Sequence, residues 1–79
     1  MTWKAWLEDR ALRQMQDLPF EAFDMLARIC DDPYDPVFSA PVPPMPSRRV
    51  ADLGDFGFIE FIADKAERLV RVYYLVWTG

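Results

Sequence analysis

Two runs near the C-terminus, Phe56-Gly57-Phe58-Ile59-Glu60-Phe61-Ile62-Ala63-Asp64 and Leu69-Val70-Arg71-Val72-Tyr73-Tyr74-Leu75-Val76-Trp77, are built from aromatic and β-branched residues. Only Lys65-Ala66-Glu67-Arg68 separates them. Residues of this kind fit a pleated, half-buried surface, and so short a polar link makes the pair a β-hairpin. A turn centred near Lys65 and Ala66 sets Glu60 opposite Arg71, Phe58 opposite Tyr73 and Ile62 opposite Leu69. The other face then carries Gly57, Ile59, Phe61, Ala63, Val70, Val72, Tyr74 and Val76. It has no charge on it and is the face expected to be buried, with the Glu60–Arg71 side left open.

The rest of the chain must cover that apolar face. Seventy-nine residues amount to one small domain, in a size range where about 60% of the unfolded surface is buried. Hydrophobic residues make up 52% of the chain and aromatics 15%, ample for a packed core and an argument against disorder. Glu8 to Asp17 are good helix formers with Ala11, Leu12 and Met15 on one stripe, and Glu8 and Asp9 sit where the helix dipole favours acids. Pro19 opens a second helix with Phe23, Leu26, Ala27 and Cys30 at i, i+3, i+4, i+7 as its expected buried seam. Asp31-Asp32-Pro33 stops that helix, because the residue before proline is pushed out of the α region.

Before the first helix, Thr2 to Leu7 alternates as a short strand. Six of the seven prolines lie between Pro33 and Pro46, so residues 33–47 are expected to form an extended loop without a regular ladder. Arg48 to Leu53 supplies a further strand, and Gly54-Asp55 turns into the hairpin. The expected fold class is α+β in the order β-α-α-β-β-β, a two-helix hairpin packed on a small, mostly antiparallel sheet.

That order, together with Glu8-Asp9-Arg10-Ala11-Leu12, Asp17-Leu18-Pro19, Asp32-Pro33, Phe58-Ile59-Glu60-Phe61-Ile62-Ala63-Asp64 and Val70-Arg71-Val72-Tyr73, resembles the RelE/ParE superfamily of toxins from type II toxin–antitoxin systems. The resemblance spans almost the whole chain. It implies a cytoplasmic bacterial or phage protein held by a cognate antitoxin, acting on mRNA at the ribosome as an endoribonuclease. A non-catalytic inhibitor of a protein target such as gyrase, or an inactive toxin scaffold, is the alternative. Two departures bear on the choice. Ribosome-dependent nucleases of the family use a basic set from the sheet and a tail after the last strand, whereas this sequence closes on Val76-Trp77-Thr78-Gly79. Asp52 also falls where those nucleases often carry arginine.

Arg48, Arg49, Arg68 and Arg71 gather in the C-terminal half, and on adjoining strands some of them are expected to meet on the open sheet face. With Tyr73 and Trp77 they have the chemistry to hold phosphates and stack bases. The candidate catalytic set is Arg48, Arg49, Arg71 and Tyr73, with arginine stabilising transition-state charge and tyrosine or Glu60 as acid or base. The plainer reading makes Glu60 and Arg71 a cross-strand ion pair and the aromatics sheet packing. Nine basic against thirteen acidic residues, a formal charge of −4, count against nucleic acid unless the arginines share one side.

Phe20, Met25 and Ile29 lie off the expected seam, and with Phe38 and Met45 of the proline segment and Trp77 they form the candidate partner-binding set. No cofactor is implied. One cysteine and no histidine leave no zinc ligand set, and the scattered acids do not match a calcium loop. Cys30 reads as a small buried hydrophobe. No run approaches the roughly 20 apolar residues of a membrane span, and no membrane partner is expected.

Overall fold

The computed structural model describes residues 3–16, 18–53 and 57–77. Along the chain it contains β1 (Lys4–Leu7), α1 (Asp9–Met15), α2 (Phe20–Asp31), β2 (Ser39–Val42), β3 (Met45–Asp52), β4 (Gly57–Asp64) and β5 (Leu69–Trp77). The strands form one sheet in the order β1-β5-β4-β3-β2. β1 runs parallel to β5, and every other pairing is antiparallel. Among the described residues the fold class is therefore α+β, with two helices and a five-stranded mixed sheet. Three expected features, Asp17 in the first helix, the Gly54–Asp55 turn and Phe56 at the start of the hairpin, fall outside the described residues.

The order is β-α-α-β-β-β-β, one strand more than expected, and the additional strand is in the proline-rich segment. Ser39, Ala40 and Pro41 pair with Ala51, Val50 and Arg49. Proline cannot donate to a ladder, but on an edge strand alternate N–H groups face away from the sheet, so a proline there need not remove a bond. The stretch before it is held locally. Asp32 Oδ1 accepts from the Tyr34 N–H at 3.1 Å and Asp35 Oδ1 from the Val37 N–H at 2.9 Å, turns that aspartate side chains favour.

The helices cover one sheet face. Ala11 and Met15 of α1, Ala22 and Ile29 of α2, Ala51 and Leu53, and Ile59, Phe61, Val70, Val72 and Leu75 of β4 and β5 form the buried core. The seam of α2 is Ala22, Met25, Leu26 and Ile29, one residue before the expected Phe23, Leu26, Ala27 and Cys30. Phe23 and Ala27 are exposed, and so is Leu12 of α1. Both frames satisfy the helical period, and size decides between them: fully buried Ala11 and Ala22 let the helices approach where a phenylalanine would hold them off. Ile29 is only 1% exposed, so its expected place on a partner surface gives way to a place in the core.

The terminal hairpin exists, in a shifted register. Its loop is Lys65 to Arg68, with Arg68 in the left-handed region at φ 51°, and the pairs near it are Asp64–Leu69, Ile62–Arg71 and Phe61–Val72. The next pair is Glu60–Tyr74, which leaves Tyr73 as an extra residue on β5. Up to the bulge, the expected inward residues Phe61, Ala63, Val70 and Val72 are buried, and on β4 Ile59 beyond it is buried too. Beyond it the alternation flips, and Leu75 faces the core in place of Tyr74 and Val76. An extra residue re-aims the side chains after it.

Candidate functional site

On the sheet face away from the helices, Arg48 of β3 and Arg71 of β5 both pair with Ile62 of β4, giving a row Arg48–Ile62–Arg71 across three strands. Glu60 lies two residues from Ile62 along β4, so its side chain shares that face. The bulge brings both Tyr73 and Tyr74 toward it. Glu60 Oε2 accepts from the Tyr73 hydroxyl at 3.0 Å and from Arg48 Nη2 at 3.2 Å, while Arg48 Nε donates to the Tyr73 oxygen. Three polar side chains from three strands thus close a ring of hydrogen bonds. Tyr74 packs against Phe58, with ring centroids 6.0 Å apart, and the Arg10 guanidinium lies 5.4 Å from its ring.

The ring sets proton affinities. Burial first, and then the hydrogen bond to Glu60, push the Tyr73 hydroxyl above the usual tyrosine value, so at neutral pH it is a proton donor. Bonding to Glu60, and then to Tyr73, raises Arg48 further, and its charge is permanent. The Cys30 thiol is pushed up by burial and secondarily by Asp31, which leaves little thiolate for nucleophilic work.

The other arginines fall elsewhere. Arg71 is exposed, and its partner is Asp64 at 3.8 Å rather than Glu60, because the register moved Glu60 away from it. Arg49 follows Arg48 on β3 and so points to the opposite face. It is buried, donating from Nε to Ser39 Oγ at 2.8 Å and from Nη2 to the Ser39 carbonyl at 3.0 Å, while Ser39 Oγ donates to the Pro33 carbonyl at 3.0 Å. Arg49 thereby fastens the 33–39 segment to the sheet and stands apart from the open-face set. Arg68 sits in the exposed hairpin loop. Strand alternation alone already separates Arg48 from Arg49, whereas the bulge that brings Tyr73 to Glu60 leaves no mark in the hydrophobic pattern.

Beside the row, at the β4–β5 turn, lies an open depression of about 550 Å³ lined chiefly by Tyr34, Ser47, Ile62, Asp64, Lys65 and Arg71. Tyr34 is a junction there. Its ring meets Trp3 edge-on at 6.1 Å, the Lys65 ammonium at 4.9 Å and the Arg49 guanidinium at 5.4 Å.

Of the candidate partner residues, Phe20 is 78% exposed and Met45 is also exposed. Met25 and Trp77 are partly buried against the core, and Phe38 is half-buried with the Arg28 guanidinium 5.5 Å from its ring. Trp6 and Val37, together with Leu12 and Phe23 from the stripes expected to be buried, are further exposed apolar residues outside that set. Among the described residues no cluster of three or more His, Cys, Asp or Glu side chains could hold a metal ion, and no helix is long and apolar enough to cross a membrane.

This arrangement of helices and strands recurs in solved structures of a bacterial protein. The isolated E. coli RelE toxin superposes with a TM-score of 0.80 over 98% of this chain and 85% of RelE, at 13% sequence identity. The chain has the RelE toxin fold. An E. coli RelE double mutant in complex with an antitoxin RelBc peptide superposes with a TM-score of 0.76 over 100% of this chain and 86% of that one, at 14% identity. No protein-family model and no curated protein sequence matches the chain. The likeness to RelE is therefore one of architecture.

Proposed function

We propose that this chain is the toxin of a type II toxin–antitoxin system, acting in the cytoplasm by cleaving mRNA at the ribosome, with the open sheet face as its working surface. The observation that carries this reading is the Arg48–Glu60–Tyr73 ring, which has a permanent cation, a carboxylate and a proton-donating hydroxyl on the face the helices leave free. The fold it shares with RelE supports the same reading, and the RelE structure containing an antitoxin peptide makes a cognate antitoxin its expected partner.

The chemistry assigned to the ring is transesterification. A phosphate entering beside Arg48 displaces the Glu60 carboxylate from the guanidinium, and Glu60 accepts the proton of the ribose 2′-hydroxyl as that oxygen attacks phosphorus. Arg48 stabilises the charge gathering on the phosphoryl oxygens. Tyr73 donates its proton to the departing 5′-oxygen, leaving a 2′,3′-cyclic phosphate and a 5′-hydroxyl. The proton on Glu60 then returns to the Tyr73 phenolate along the bond that joins them.

Purified protein added to ribosomes carrying a defined mRNA should cut it, and the cut should map by primer extension. Tyr73→Phe and Arg48→Ala should each lower the rate by about 10²- to 10⁴-fold while leaving the domain folded. A second reading has its own support: Arg48 and Arg71 already carry carboxylate partners and the chain bears a charge of −4, as suits a non-catalytic binder of a protein target. Growth arrest with RNA and translation intact would decide for that binder. Neither arrest nor cleavage would make the chain an inactive scaffold.

A further inference from the structure

We propose that the depression at the β4–β5 turn is a subsite for one nucleotide of single-stranded RNA, next to the Arg48–Glu60–Tyr73 ring; this rests on the RNA-directed reading above. Continuity is the first argument. Ile62 and Arg71 belong both to the wall of the depression and to the row that begins at Arg48. Two inter-strand steps separate Arg48 from Arg71, roughly 10 Å between their backbones, a span that phosphates of one extended strand can bridge with the reach of the two side chains. RNA laid along the row from Arg48 to Arg71 delivers its next nucleotide into the depression.

The wall has the chemistry for such a guest. Ile62 and the Tyr34 ring offer an apolar and an aromatic surface to a base, and stacking of this kind tolerates any sequence. Arg71 and Lys65 bring two cations to the rim for the phosphate, while Asp64 repels it, so the charge order sets the nucleotide's direction, phosphate outward and base toward Tyr34. Ser47 lies within the same wall to meet a base edge.

The cover over this site is movable. The Lys65 ammonium rests 4.9 Å from the Tyr34 ring on an exposed turn residue with a long flexible stem. Swinging to a phosphate, it uncovers the ring. Arg49, the other cation on Tyr34, is fixed by its two bonds to Ser39 and stays. Arg71 is held by Asp64 only at 3.8 Å, a loose pair that a phosphate can enter.

The test is an amide chemical-shift titration of the full chain with 2′-O-methyl oligoribonucleotides of increasing length, which bind without being cut. A dinucleotide should shift Arg48, Glu60 and Tyr73, and a tetranucleotide should in addition shift Tyr34, Ser47 and Lys65. Lys65→Glu, on the exposed turn, should weaken the tetranucleotide by about 5- to 50-fold and leave the dinucleotide unchanged. An abasic terminal residue should remove the same gain. Shifts at Arg48, Glu60 and Tyr73 that never extend to Tyr34 and Lys65 would overturn the subsite and leave the RNA reading standing. Equal shifts with inorganic phosphate alone would reduce it to an anion site and overturn it as well. No shift anywhere with any oligonucleotide would sink both.

Discussion

At the scale of single residues, two adjacent arginines on one strand do opposite work. Arg48 stands on the open face, where its partners can be exchanged, while Arg49 is buried and its bonds to Ser39 have no substitute. Arg49→Ala should lower stability by about 2–3 kcal/mol in urea unfolding, the cost of orphaning buried polar groups. Arg49→Lys should not restore it, since an ammonium lacks the planar fork. Loss of cleavage without loss of stability in Arg49→Ala would instead put Arg49 at the site. Tyr73 carries a pH signature. Its hydroxyl is raised by burial and then by Glu60, so the folded state favours the protonated form. The stability this contributes is complete below about pH 10, the ordinary tyrosine value, and is lost as pH rises through the higher folded value. Urea midpoints followed from pH 8 to pH 11 should fall more for the native chain than for Tyr73→Phe. Arg48, Arg71 and Tyr73 were legible as a basic and aromatic set, but the partner of each was not, because partners depend on register.

At the scale of elements, the lesson lies in α2 and β5. Apolar residues surround so much of α2 that two stripes one residue apart satisfy its period, and only the bulk of the facing sheet selects Ala22 and Ile29. Ile29→Ala should cost about 2–5 kcal/mol, whereas Phe20→Ala and Phe23→Ala should stay within about 0.5 kcal/mol; thermal unfolding of the three separates the two frames. A similar cost for Phe23→Ala would restore the other stripe. On β4, a Cβ built at Gly57 would come within 1.9 Å of the carbonyl oxygen of Val76. Gly57→Ala therefore has to part the two strands, and faster amide exchange along Leu75 to Trp77 should report it. The hairpin, both helices and the buried side of β4 were readable from alternation and helix signals. The bulge and β2 were not: one extra residue alters no composition, and prolines look like loop until an edge is available to hold them.

At the scale of the whole molecule, charge and shape pull apart. A chain of net charge −4 has no broad attractive field for nucleic acid, so on the reading proposed above RNA affinity comes from the few cations on one face. With Arg48, Arg71 and Lys65 as the phosphate contacts, the logarithm of RNA affinity should fall against that of salt with a slope of about −2. A slope near zero would remove phosphate contacts from the account. Glu60→Gln and Asp64→Asn, each freeing a guanidinium, should tighten binding of uncleavable RNA, though the first should abolish cutting. One last consequence belongs to β2. Open sheet margins are where copies of a protein zip together into insoluble filaments, and Pro41 on the outer strand, with Pro43 and Pro44 beyond it, denies an incoming backbone the donors it would need there. A chain whose outer strand is blocked in this way stays dispersed at concentrations where an unguarded edge would assemble.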